Sequence, residues 1–449
     1  MVLRGAVDTI CVCSRFVTVL LVLCVLAGCQ KLFHEDGALL KGKTVSVGMT
    51  VPETPAPAVK PLEPERTADS LLKPVPPGSV DIRLLPVQEP AGAVAHRPAS
   101  APAAASLPVR SAITRADTQL TERVITEDTV LRGTVLVTGS LVVAPQATLR
   151  LEAGTRLRFA AARDSSQKPR LVVQGRLLCA GTAERPVVLA SAYEESRAAD
   201  WGGVVLLGSE KKNSLEHCRI EGAEVGIEAR NAQFSARQLT VARCLNGLAF
   251  FDSVVTLNGL DLSRCDVGIV FNDSELELRE VKLWENRVGA QGGRSSIVLH
   301  TASLLRNAQE GLLADQCRYR LHGVSATDNR VGIYLKGGDG QVLQGRFSRN
   351  REAGLALVAT RARVQHSSFS GNGGVGLWSD NSRGVAVNNA FNNNEGDNLS
   401  VHGQDAPAVL LNWWGSSDER QIAAGIRLSG RTGQLPFAPF LSQRPPLAP

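Results

Sequence analysis

A glycine followed by an aliphatic or small residue returns eight times along the second half of the chain. The positions are Gly226-Ile227, Gly247-Leu248, Gly268-Ile269, Gly289-Ala290, Gly311-Leu312, Gly332-Ile333, Gly354-Leu355 and Gly376-Leu377, at intervals of 21, 21, 21, 22, 21, 22 and 22 residues. Three or four residues before each of the seven later glycines lies a second ladder, Cys244, Cys265, Asn286, Asn307, Asn329, Asn350 and Asn372, which Asn394 continues one unit further. Three residues before that rung an apolar position repeats, as Val241, Leu262, Leu283, Leu304, Ala326, Phe347, Phe369 and Phe391. Ser253, Ser274, Ser295 and Cys317 follow their glycines by six residues, with Ser382 as a later instance. Between these marks apolar and polar residues alternate, which is the period of a strand. A unit this short has no room for a ten-residue helix beside its strands.

Identical residues at identical positions in short units mean stacked coils, each ~4.8 Å above the last. Aliphatic side chains then stack inside. Buried Asn amides satisfy one another from coil to coil. The glycine is expected to let the backbone bend after the Asn rung. Cys244 and Cys265 are small enough for that interior slot and read as a packed free pair, with a disulfide as the alternative. Leucine-rich repeats have a similar period and also carry an Asn, but their third regular Leu spacing is missing here. The fold class expected is all-β, a single-stranded right-handed parallel β-helix of roughly twelve coils over residues 116–440, with a tail at 441–449.

These coils resemble the right-handed parallel β-helix proteins of the pectin-lyase-like superfamily, in particular their secreted bacterial repeat-containing members. Glu152-Ala153-Gly154-Thr155, Gly181-Thr182, the strand beginning at Pro186 and Trp201-Gly202-Gly203 are similar to the entry coils of such proteins. Asn412-Trp413-Trp414-Gly415 and Leu435-Pro436-Phe437 resemble their closing segment, with Trp413, Trp414 and Phe437 as lids for the open end. The resemblance implies a fold and says little of activity.

The start of the chain reads as an address. Arg4 and Arg15 precede a ten-residue apolar run, Val17 to Leu26, too short for a permanent span, which needs ~20 residues. Leu26-Ala27-Gly28-Cys29 resembles the lipobox of bacterial lipoproteins. That resemblance implies cleavage after residue 28, lipid on Cys29 and a membrane as partner. By resemblance to enteric lipoproteins, Gln30 at the next position, where Asp is absent, implies the outer membrane. Residues 29–115 carry most of the 22 prolines and no lasting apolar period, so they read as a disordered tether, with a short ordered element near Val80–Val87. Five cysteines remain after residue 29, with no metal-ligand spacing, so neither a metal nor another cofactor is expected.

Function is written more faintly. The formal net charge, +6 over 449 residues, is too small to argue for nucleic acid. The paired-Asp and Gly-His-Gly segments of polygalacturonases are absent, as is the Arg-x-Pro-x-x-Arg segment of pectate lyases. Asp252 and Asp273 fall on adjacent coils and could share a proton or a calcium ion, although Arg294 occupies the next rung. Arg264, Arg306 and Arg349 precede the Asn/Cys rung, and Arg287 and Arg330 follow it. They form a stripe suited to acidic polysaccharide, interrupted by Glu285 and Asp328. Tyr334 and Trp378 occupy an outward strand position where they could stack on sugar rings. The reading is an envelope lipoprotein with a non-catalytic surface for polysaccharide or another envelope glycan. A polysaccharide lyase or hydrolase and a periplasmic protein-binding scaffold are the alternatives.

Overall fold

The computed structural model describes residues 115–160, 168–430 and 433–446. The leader, Cys29, the tether and Val80–Val87 lie outside the described residues. The rest is a right-handed parallel β-helix of about twelve coils, about 22 residues apart. One coil shows the construction. Strand Asn246–Phe251 forms the first sheet, and strand Val254–Ser263 bends in its middle to serve the second and third. The next coil, Val267–Asn272 and Glu275–Trp284, pairs with it in parallel, Leu248 opposite Ile269 and Leu257 opposite Leu278.

Alternation decides which side chains go inside. In this coil Leu248, Phe250, Val255, Leu257, Leu260 and Leu262 are all buried. Each contributes about 1.5–3 kcal/mol relative to exposure. The corners carry residues in the left-handed region: Asp252 at φ 47°, Gly259 at 75° and Arg264 at 56°. Most of these corner residues are not glycine, so the turn conformation costs stability that the inter-coil bonds offset.

The repeating glycines do a different job from the one expected. None of the eight has positive φ. They sit where the coils come closest: a Cβ on Gly268 would lie 2.2 Å from the carbonyl oxygen of Gly289, and one on Gly247 would lie 2.6 Å from that of Gly268. Glycine is required there for close approach, and the bend is made by the neighbouring left-handed residue.

The C-terminal end is closed by aromatic rings. Phe347, Phe369, Phe391 and Trp414 stack in succession with centroids 4.9, 4.7 and 4.7 Å apart. Ile422 of the short helix Glu419–Ala424 is buried, and Leu435, Phe437 and Phe440 pack against the same end. Trp413 stays half-exposed. No helix among the described residues is long and apolar enough to cross a membrane.

Candidate functional site

The turn between the third and first sheets brings together most of the residues singled out above. Its inner side is the Asn ladder. Asn286, Asn307, Asn329, Asn350 and Asn372 are buried. Each Nδ2 donates to the Oδ1 of the next rung at 2.9–3.2 Å, ending on Asn394. Each also donates to a backbone carbonyl, as Asn329 does to Leu304 at 2.9 Å. The Oδ1 atoms accept the backbone N–H of the preceding rung, beginning with Cys265 on Asn286 at 2.9 Å. Cys244 and Cys265 continue the column as free, buried thiols. The contact with Cys265, together with burial, pushes the Cys244 thiol well above its ordinary range.

One residue away, the outer side of the same turn is charged. The arginines do not stand as a free basic stripe, because the acidic residues that interrupt them are their partners. Glu285 lies 3.2 Å from both Arg264 and Arg306. Asp328 takes two bonds from Arg349, at 2.9 and 3.0 Å. Asp266 takes two from Arg287, at 2.6 and 2.9 Å, and the Arg287 bond holds its carboxyl below the ordinary range. Arg330 bridges Glu310 and Glu352 and is the most enclosed of the set, its side chain 22% exposed and that of Glu310 only 5%.

Asp252 and Asp273 occupy successive left-handed corners. Arg294 grips Asp273 with bonds of 2.8 and 2.5 Å and holds its carboxyl below the ordinary range. Asp273 is thereby kept an anion, unsuited to donating a proton near neutrality.

Tyr334 and Trp378 lie on the outward row of the first sheet, where Leu313, Tyr334, Ala356, Trp378 and Ser400 are successive partners. The two rings pack with Val331, Ala353 and Ala356 in an apolar cluster separate from the core. Ala356 is 1% exposed although it faces outward, so the rings cover it from both sides. His402 lies against Trp378, with centroids 5.5 Å apart. The Trp378 Nε1 donor is buried without a partner. Burial, followed by nearby Asp380, raises the Tyr334 hydroxyl above its ordinary range.

Other features escaped the sequence reading. A second ladder, Ser367, Asn389 and Asn412, runs along another corner, with Asn389 donating to Asn412 at 3.1 Å. Its repeat is only three rungs long and lies close to the end of the chain. A groove of about 570 Å³ lies on the outside of the third sheet. It owes its end wall to residues 181–186, which stand where the next coil has His217 alone, and it becomes visible only when the coils are in register.

Residues 123–235 match the model of a pectate-lyase-like β-helix domain, and residues 248–425 match that of the periplasmic copper-binding protein NosD. No curated protein matches the chain. Among solved structures, a mutant of the periplasmic alginate epimerase AlgG is 14% identical over 68% of this chain and 78% of that one, with a TM-score of 0.42. The A-module of the Azotobacter vinelandii mannuronan C-5 epimerase AlgE4 is 13% identical over 69% of this chain and 91% of that one, with a TM-score of 0.31. With the coil register and the two matched segments in agreement, the chain is a right-handed parallel β-helix protein.

Proposed function

We propose that this chain is an envelope lipoprotein, anchored through Cys29 to the outer membrane, whose β-helix binds a polysaccharide or another cell-envelope glycan without cleaving it. The tether of residues 29–115 would hold the β-helix, proposed to span 116–440, away from the lipid surface. The observation that carries the reading is the strip formed by Tyr334, Ala356 and Trp378. Two aromatic faces share one outward row, two coils apart, with only a methyl group between them. Pyranose rings present apolar C–H faces that pack on such a strip. Arg330 and its neighbours edge the strip. Because their charges are already matched by carboxylates, their contribution is hydrogen bonding, and net attraction for a polyanion is weak.

The matched NosD family is described as periplasmic, in keeping with an envelope location. Its description also names copper, and the residues here do not fit such a centre. Among the described residues no three His, Cys, Asp or Glu side chains converge. His300 and His322 are neighbouring imidazoles there, 5.8 Å between centroids and tilted by 58°, without a third donor.

The test is size exclusion of the full chain with acidic and neutral polysaccharides, following protein and polymer together. Co-elution with intact polymer, lost in Tyr334→Ala and Trp378→Ala, is the expected result. Shortened polymer would replace this reading with a lyase or hydrolase and direct mutation to Asp252 and Asp273. No change with any polymer would favour the protein-binding scaffold.

A further inference from the structure

The groove on the third sheet is built from a mismatch between coils. Along this corner most coils turn with a single left-handed residue, such as Gln238, Gly259 or Glu280. One coil has six residues at that place, 181–186, between Ala180 and Val187. The insertion is held in place: Gly181 N–H bonds to the carbonyl of Glu216 at 3.0 Å, and Thr182 and Arg185 bond each other twice at 3.1 Å. It therefore forms a fixed wall at one end of a valley four coils long.

The valley has two rows. Its outward strand row is Arg219, Thr240, Asp261 and Lys282, in direct register. Its corner row holds Gln238 and Glu280, with Gly259 between them leaving a gap that the Gln238 side chain overhangs. Trp284 organises the open end. Its Nε1 donates to Asp261 Oδ1 at 2.6 Å, and the Lys282 ammonium lies 4.7 Å from the indole centroid. One ring thus sets an acceptor and a donor on adjacent rungs. Among the described residues Lys282 has no ion pair, and Asp261 has no other hydrogen-bonding partner.

We propose that this groove is a second binding site, separate from the aromatic strip, and that it takes a neutral, hydroxyl-rich oligosaccharide. The charge balance selects the class. Arg219 is already paired with Glu221, and Lys282 faces Asp261 and Glu280, so a polyanion meets at least as much repulsion as attraction. A peptide finds no free strand edge to extend, because the coils above and below occupy the backbone groups, and no deep apolar pocket for a side chain. Vicinal hydroxyls each donate and accept. They match rungs that alternate donor, hydroxyl, acceptor and donor at a spacing of ~4.8 Å, near the length of one pyranose ring. Three such intervals accommodate about three sugar rings.

The experiment is calorimetric titration of the full chain with linear cello-, malto- and chitohexaose, with hexamannuronate as the acidic control. Thr240→Trp fills the groove at a half-buried outward position, and the pair Asp261→Asn and Lys282→Ala removes its oriented groups. Circular dichroism checks that each variant folds. Binding of at least one neutral hexasaccharide is expected, lost in Thr240→Trp and weakened about tenfold in the double variant. No binding by any neutral hexasaccharide, or binding unchanged in Thr240→Trp, overturns the proposal. Hexamannuronate binding that Thr240→Trp abolishes overturns the neutral class. Loss of binding in Trp378→Ala alone would leave the proposed function standing while this site falls.

Discussion

Asn329 and Arg330 are neighbours in one turn, and they belong to ladders built on opposite logic. The inner ladder repeats one residue, because an amide carries both a donor and an acceptor and so complements its own copy. The outer ladder cannot repeat itself, because like charges one strand spacing apart repel. From Arg264 to Arg349 it alternates sign instead, with Glu285 between Arg264 and Arg306 and Asp328 beside Arg349. Self-complementary chemistry makes a long uniform column, whereas ionic chemistry makes a mixed one that consumes its own charge.

The comparison breaks hardest at the one place where the outer ladder is enclosed. Arg330→Ala leaves Glu310 buried without its partner and is expected to cost about 3–5 kcal/mol in urea unfolding. Arg330→Lys should restore only part of that, since a single ammonium does not fork to both Glu310 and Glu352. An unfolding midpoint unmoved by Arg330→Ala would show that water reaches Glu310.

Next in size is the inner ladder. Asn329→Ala removes bonds to Asn307, Asn350 and the Leu304 carbonyl at once. A loss of about 2–3 kcal/mol is expected, larger than for any exposed rung. Cys265→Asn sharpens the same point from the other side. It extends the column by one self-complementary rung and should change stability by less than about 1 kcal/mol.

The buried thiols give a pH signature. Cys244 and Cys218 have pKa values raised in the folded state, by the Cys265 contact and by burial respectively. Their contribution is full below the unfolded thiol value of about 8.5 and is lost as pH rises through the folded values. Melting temperature should therefore fall on the alkaline side, and less steeply in a Cys218→Ala, Cys244→Ala variant. Equal slopes would remove the thiols from the account.

The smallest effects belong to the exposed ion pairs. Arg349→Ala should move stability by no more than about 0.5 kcal/mol, because both partners are open to solvent. For Asp273, whose pKa is lowered by Arg294, any contribution is present above the ordinary carboxyl value of about 3.9 and fades as pH falls through the folded value. A large loss in either case would mean that the two ladders are coupled.

The two ladders also differ in how they could be read. The inner one was legible as a column of Asn and Cys, down to the Phe347, Phe369 and Phe391 positions that become the aromatic stack. The outer one was read as a basic stripe interrupted by acids, because a column read one residue at a time does not show that Glu285, Asp328 and Asp266 pair with the arginines one coil above or below. In sequence Glu285 interrupts; across coils it pairs. Tyr334 and Trp378 were legible as outward residues, but their shared cover of Ala356 was not. The groove was invisible, since five extra residues in one coil gain meaning only beside the coil that lacks them.

The sequence by itself determined the coil, its period and the occupants of its interior. A buried position touches its own copy above and below, so packing and hydrogen bonding force the same residue to return and leave a visible period. Only the tertiary structure decided which exposed charges cancel, where two rings meet and where the surface is concave. Those outcomes depend on side chains reaching across coils to unlike neighbours, and unlike neighbours leave no repeat to read.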